Sequence, residues 1–278
     1  MKLRRLIYLI CFSLGFGFAR SVTKTTHTLY LGKEKVWVDI YERAGSNITF
    51  VNLHDNENTS AEAGRRFVEK YGGRLIELRH GRGREVVVRL NGVLYRFDPN
   101  RMFSEAGLRA SLRYFRANSD EVFHIAAAFR DSVINLVDAK AGMVIVALHN
   151  NTQDKMTIRD YRPGGWYGKD TKKVNINPRQ DPDNFFVVSE ADLFSALSSL
   201  GYNVALGAKD PPDRGMFLDY CVRHGVSFIT VEAEHGKLIE QMEMLEALRS
   251  VLMENNTITI DKSGFPSPEM PIDSIHSH

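Results

Sequence analysis

This chain of 278 residues has very little cysteine. It contains two, Cys11 and Cys221, and Cys11 lies in an N-terminal segment that we expect to be removed. A single remaining cysteine excludes an intramolecular disulfide. Cys221 falls in an apolar helical pattern, which indicates a buried structural thiol rather than a nucleophile. Exported proteins of this size without disulfides are more typical of bacteria.

The sequence also lacks an N-terminal apolar run long enough to make a good membrane-spanning helix. The run at residues 6–18 is short, contains glycine, and follows three basic residues. Gly17 and Ala19 are the small residues expected at the −3 and −1 positions of a cleavage site. We therefore predict a secretory signal peptide over residues 1–19 and a periplasmic or secreted bacterial protein. An uncleaved membrane anchor is the alternative.

No strong charge of either sign is present. The formal net charge is +2, and removing residues 1–19, which hold three cations and no anions, leaves −1. A near-neutral chain argues against a nucleic-acid-binding protein, which would present a basic face. Arginines cluster locally from Arg74 to Arg96. This cluster is either a solvated hairpin surface or a collar for an anionic substrate.

What the sequence does have is a regular alternation of strand and helix patterns, without an internal repeat or a second domain. The predicted strands are 26–30, 36–41, 47–53, 74–79, 85–90, 93–97, 143–148, 203–206 and 226–231. The predicted helices are 60–71, 104–117, 120–137, 191–200, 215–224 and 237–254. This order predicts one α/β domain over residues 20–260, with a mixed, mostly parallel sheet flanked by helices on both faces.

Two other segments lack such a pattern. Residues 150–184 are polar and rich in glycine and proline, and a loop of that length in a compact domain is usually functional. Residues 261–278 contain three prolines and no periodicity. They are therefore predicted to form a C-terminal tail.

Metal-ligating side chains follow three of the predicted strands. His54 and Glu57 follow the strand at 47–53, His149 follows a wholly apolar strand, and Glu232 follows a third. Ligands of open α/β sheets bind outside the carboxyl ends of the strands, where these residues fall. Two histidines and a carboxylate suit a catalytic zinc, which keeps one coordination position open for water.

We therefore predict one Zn²⁺ per chain, held by His54, Glu57 and His149. Glu232 is the predicted general base. Glu234 is the alternative, because residues two apart on a strand share a face.

Four motifs in this order resemble the zinc carboxypeptidase superfamily, and within it the aspartoacylase and succinylglutamate desuccinylase branch. They are the His-x-x-Glu motif that starts at His54, the segment Asp-Pro-Asn-Arg that starts at Asp98, the Leu-His-Asn setting of His149, and the strand end at Glu232. Together they cover most of residues 47–250. The resemblance implies a zinc carboxypeptidase-like fold and a zinc-dependent amidohydrolase.

The resemblance also implies substrate-binding residues. Asn100 and Arg101 match the pair that grips a substrate carboxylate, so the scissile amide would lie next to a free carboxylate. A second arginine of the family polarises the scissile carbonyl, and we assign it to Arg96. Alternatively, Arg101 has a purely structural role, because its spacing from Glu105 allows an ion pair on a helix.

The amidohydrolase hypothesis allows two substrate classes. Export favours a carboxypeptidase acting on peptides or cell-wall peptides, whereas the Asn-Arg segment favours an N-acyl-amino-acid deacylase of the aspartoacylase type. We expect no nucleic-acid partner and no stable membrane association after signal cleavage. The alternative from another class is a catalytically silent exported binding protein on the same fold.

Overall fold

The computed structural model describes residues 21–81, 83–117, 119–140, 142–255 and 257–258. The predicted signal peptide, with its cleavage after Ala19, and the predicted tail at 261–278 lie outside these residues. Both therefore stay predictions. Within the described ranges, no helix has the length and apolar character needed to cross a membrane.

Eleven strands form in the described part of the chain. In chain order they are β1 Thr23–Leu31, β2 Glu34–Arg43, β3 Ile48–Asn52, β4 Gly73–Arg79, β5 Val86–Leu90, β6 Val93–Phe97, β7 Val144–Asn151, β8 Thr171–Asn175, β9 Phe185–Val188, β10 Asn203–Gly207 and β11 Ser227–Glu234. Nine make one sheet in the order β1-β2-β4-β3-β7-β11-β9-β10-β8, and β5 pairs with β6 in a separate hairpin. The central strands β4, β3, β7 and β11 are parallel, and antiparallel pairs lie towards both edges.

Helices cover both faces of this sheet. They are α1 Asn58–Tyr71, α2 Glu105–Tyr114, α3 Asp120–Val137, α4 Ala191–Ser199, α5 Phe217–Arg223 and α6 Leu238–Glu254. Successive residues of a strand point to opposite faces. Phe50 of β3 accordingly packs in the core under α1, α4 and α6, while Val51 packs in the core under α2, α3 and α5. Burial on both faces explains the apolar central strands, and the predicted α/β class is confirmed.

The structure extends two central strands beyond their predicted ends. β7 continues to Asn151 and β11 to Glu234, in parallel register that places Glu232 beside His149. Polar residues end a hydrophobic pattern, but they still pair their backbones when a neighbouring strand is available. The structure also adds β9, which was not predicted, and β8, which lies inside the predicted loop at 150–184.

Gly215 lies where the chain before α5 crosses the segment that carries Arg101. Its carbonyl oxygen accepts a hydrogen bond from the backbone N–H of Phe103 at 2.9 Å. Its φ of +69° is in the left-handed region, and a Cβ there would collide with the carbonyl oxygen of Arg101. Only glycine fits both the conformation and this close approach.

We predict that Gly215→Ala lowers the free energy of unfolding by about 2 kcal/mol or more, the sum of backbone strain and overpacking. The measurement is urea unfolding. Gly225→Ala is the matched control, because Gly225 has φ +66° but open space around its Cβ position. Equal losses for the two variants would show that the approach to Arg101 is not tight.

Candidate metal centre and active site

A cavity of about 300 Å³ opens at the carboxyl ends of the central strands. Glu57, His149 and Glu232 line it, together with Asn100 and Arg101. Parallel strands end at the same edge of a sheet, so residues far apart in sequence meet there. The position is the one that the sequence predicts for a ligand.

His54, Glu57 and His149 converge at this cavity. One ligand atom from each residue lies within 4.8 Å of the others, and all three side chains are buried. Nδ1 of His54 lies 2.8 Å from Oε1 of Glu57, and Nδ1 of His149 lies 3.0 Å from Oε2. Both imidazoles therefore turn the same ring nitrogen towards one carboxylate.

Local structure brings His54 and Glu57 together. The backbone N–H of Glu57 donates to the carbonyl oxygen of His54 at 3.0 Å, which closes a tight turn between β3 and α1. Glu57 is the N-cap residue of α1, but its side chain makes no capping hydrogen bond. The carboxylate is thus free to face the cavity.

The hydrogen bonds of His54 fit a metal ligand. Its Nε2 lies 2.9 Å from Oδ1 of Asp98, a contact that holds the proton on Nε2 and orients the ring. Nδ1 is then a buried nitrogen with a lone pair, 2.8 Å from Oε1 of Glu57 but with no hydrogen bond of good geometry. A buried lone pair of this kind normally has a partner. Two imidazole nitrogens and a carboxylate form a donor set that suits zinc.

Without a metal, protons take the place of the cation. Burial opposes the charged form of His54, but the Glu57 and Asp98 carboxylates together outweigh it and raise the pKa of His54 to about 9. Burial also opposes ionisation of Glu57, yet His54 and His149 hold the pKa of that carboxyl well below its usual range. Positive charge is therefore strongly favoured here, and protons compete with a metal as the pH falls.

Glu232 has the opposite electrostatic environment. Burial raises the pKa of its carboxyl to about 7, with His149 opposing the shift and Glu57 adding to it. A pKa near neutrality suits a general base. Glu234, the alternative base, is partly exposed and is not among the residues that line the cavity; it lies with Asp181 and Asp183 instead.

We predict that Glu232→Gln stabilises the metal-free protein at high pH. The unfolded carboxyl titrates near 4.5 and the folded one at about 7, so the cost of the buried carboxylate is full above about 7 and absent below about 4.5. A shift of that size corresponds to ~3 kcal/mol. Urea unfolding of both proteins at about pH 8 and about pH 4 measures the difference. A gain that did not depend on pH would contradict this electrostatic origin.

Arg84 is the arginine that reaches the centre. Its Nη1 donates to Oε1 of Glu57 at 2.7 Å, and its Nη2 lies 3.9 Å from Oδ2 of Asp98. The sequence assigned this place to Arg96, but Arg96 is exposed on β6 and does not line the cavity. Arg84 precedes the β5–β6 hairpin and carries no motif. The local cluster of arginines was the one signal that pointed to it.

Asn100 and Arg101 lie together in the same cavity. Oδ1 of Asn100 accepts a hydrogen bond from the backbone N–H of Phe217 at 3.1 Å, which ties this segment to α5. Nη2 of Arg101 donates to the hydroxyl of Tyr167 at 3.2 Å, and Tyr167 stacks on Tyr161 with ring centroids 4.9 Å apart. The long predicted loop thus supplies part of the cavity wall.

No family model matches the sequence, and a comparison with curated proteins finds no match either. Solved structures do match. An aspartoacylase family protein from Mesorhizobium loti is 15% identical with a TM-score of 0.42, covering 84% of this chain and 68% of that one. A product-bound ectoine utilization protein from Ruegeria pomeroyi is also 15% identical with a TM-score of 0.42, covering 87% and 68%.

A third match is a tripeptide-bound cell shape determinant from Helicobacter pylori, at 12% identity and a TM-score of 0.41, covering 77% of this chain and 52% of that one. The branch named by the sequence motifs is therefore found among the matching structures. Likeness at this level is distant, and the chemistry of the chain rests on its own residues.

Proposed function

We propose that this chain is a zinc-dependent amidohydrolase that cleaves an amide bond next to a free carboxylate. The observation that carries the proposal is the group His54, Glu57 and His149, whose ligand atoms lie within 4.8 Å of one another, at a cavity that Glu57, His149 and Glu232 line together. A zinc ion bound there would act as a Lewis acid that polarises a carbonyl and lowers the pKa of water towards ~7.

The remaining roles fall to side chains of the cavity. Glu232 takes a proton from the attacking water and returns it to the leaving amine, since its pKa near 7 suits both transfers. The Arg84 guanidinium stabilises the negative charge that develops on the carbonyl oxygen. The planar fork of Arg101 donates hydrogen bonds to both oxygens of a substrate carboxylate, and Asn100 beside it completes that clamp.

The wall of the cavity bears on the choice between peptides and acyl-amino acids. Phe228 and Thr230 share the face of β11 that carries Glu232, and Val187, Met216 and Leu218 continue this mostly apolar surface. Such a wall supports a leaving residue with an apolar side chain. Peptides, including cell-wall peptides if the chain is exported, fit this wall better than acyl-aspartate, whose side chain is acidic.

The alternative substrate class is an N-acyl-amino acid, because deacylation uses the same groups. The other alternative, a catalytically silent binding protein, would need a missing ligand or base. The three candidate ligands lie together, and Glu57, His149 and Glu232 line the same cavity.

Metal analysis and a substrate panel test the proposal together. Purified protein should hold one zinc per chain and should hydrolyse peptides with a free C-terminus faster than amidated ones. N-acyl-amino acids and cell-wall peptides in the same panel separate the substrate classes. N-terminal sequencing of the native protein shows whether residues 1–19 are removed. The proposal would be overturned if the protein held no stoichiometric metal, or if it hydrolysed no substrate in the panel.

We predict that Glu232→Gln lowers kcat by ~10²–10⁴-fold, the usual worth of acid–base catalysis, while zinc content stays near the wild-type level. His149→Ala should lose both zinc and activity, because it removes a ligand. Elemental analysis and steady-state kinetics measure the two effects. If Glu234→Gln abolished activity and Glu232→Gln did not, Glu234 would be the base.

We predict different kinetic effects for the two arginines of the cavity. Arg101→Ala should mainly raise KM for substrates with a free carboxylate and matter little for amidated ones. Arg84→Ala should lower kcat by ~10²–10³-fold, as expected for loss of one group that stabilises the transition state. Arg96→Ala is the matched control, because Arg96 is exposed on β6 and, unlike Arg84, does not line the cavity. A loss of activity in Arg96→Ala similar to that in Arg84→Ala would refute the assignment.

A further inference from the structure

Four polar side chains form a buried network behind the metal centre. They are Asn52, Ser60, Asn150 and Gln241, and none is more than 8% exposed. Buried amides and hydroxyls are costly unless they are hydrogen-bonded. The bonds that these four make connect α1, β7, β11 and α6.

Asn150 is the centre of the network. Its Oδ1 accepts a hydrogen bond from the backbone N–H of Ser60 at 2.8 Å. Its Nδ2 donates to the carbonyl oxygen of Ala233 at 3.2 Å and to Oε1 of Gln241 at 3.0 Å. One amide therefore joins the start of α1, the end of β11 and the first turn of α6.

Gln241 acts on the strand that carries His149. Its Nε2 donates to the carbonyl oxygen of His149 at 3.0 Å. Gln241 does not line the cavity, and its helix is otherwise packed by apolar side chains such as Leu245 and Leu248. A fully buried amide at such a position costs side-chain and desolvation free energy that an apolar residue would avoid.

The lengths of two strands show why side-chain amides are needed here. β3 ends at Asn52, whereas β7 runs on to Asn151, so the end of β7 extends past its shorter neighbour. Nδ2 of Asn52 donates to the carbonyl oxygen of Leu148 at 3.3 Å, and to Oγ of Ser60 at 2.7 Å. Side chains thus supply the hydrogen bonds that β3 no longer provides.

The bonds of the network fall close to the residues of the site. Oγ of Ser60 donates to the carbonyl oxygen of Glu57 at 2.8 Å. Asn150 adjoins His149 in sequence, and Ala233 adjoins Glu232. Every carbonyl oxygen that the network binds therefore belongs to a site residue or to its immediate neighbour: Glu57, Leu148, His149 and Ala233.

We infer that Ser60, Asn150 and Gln241 are positioning residues that fix α1, β7 and β11 relative to one another. They set the spacing of the metal ligands and of the general base. Ser60 and Gln241 do so without touching substrate, because neither lines the cavity. This inference rests on the proposed function. It adds to that function three residues that tune metal affinity, two of which, Ser60 and Gln241, lie outside the cavity.

Gln241→Met tests the inference, because methionine has a similar length but removes both hydrogen bonds. Zinc affinity, measured by chelator competition with zinc alone, should fall by ~10–100-fold. With substrate, kcat should fall while KM changes little, because Arg101 is untouched. Leu248→Ala is the control on the same helix: it should lower Tm and leave zinc affinity at the wild-type level.

The opposite outcomes are equally clear. A Gln241→Met protein with wild-type zinc affinity and a lowered Tm, like Leu248→Ala, would overturn the inference and leave the proposed function standing. A wild-type protein that takes up no zinc would overturn both. If Gln241→Met does not fold, Ser60→Ala, which removes one hydroxyl on the α1 side, carries the same test with the same expected loss of zinc affinity.

Discussion

One buried carboxylate, that of Glu57, determines how the side chains are arranged around the cavity at the carboxyl ends of the central strands. Glu57 has its two oxygens directed at His54 and His149, and Arg84 bonds to the same group. A buried carboxylate without positive partners would be too costly to keep ionised. The cavity is therefore organised around Glu57, to which three separate parts of the chain bring two imidazoles and a guanidinium.

Two other carboxyl groups beside this centre have pKa values shifted in opposite directions. Burial opposes ionisation of Asp98, but its contact with His54 lowers its pKa. Glu232 is buried without a contact that outweighs the burial, and its pKa is raised to about 7. Carboxyl groups whose environments separate their pKa values take different roles. Asp98 thus orients a ring as a permanent anion, whereas Glu232 is able to gain and lose a proton near neutral pH.

The sequence predicts the parts of this site that follow strands. His54, Glu57, His149 and Glu232 stand where apolar runs give way to polar residues, and parallel strands necessarily bring such ends together. Arg84 could not be found in this way, because it lies in the loop between β4 and β5 and meets Glu57, 27 residues away, only through tertiary contacts. β9 was missed for a related reason: four apolar residues give too short a pattern to distinguish from a loop.

The same tertiary contacts explain why the site needs a scaffold larger than its motifs. A turn of four residues fixes His54 against Glu57, but nothing local fixes either against His149, which comes 92 residues after Glu57. The distance from His149 to His54 and Glu57 is set by how β7 lies against α1 and β11. On its other side the end of β7 has no strand partner, because β3 is shorter. The Asn52 amide donates to the carbonyl oxygen of Leu148 on that side, while the amides of Asn150 and Gln241 tie β7 to β11 and α6. The positions of the site residues thus depend on side chains that a search for catalytic motifs does not find. These side chains bond to the backbone and carry no catalytic group.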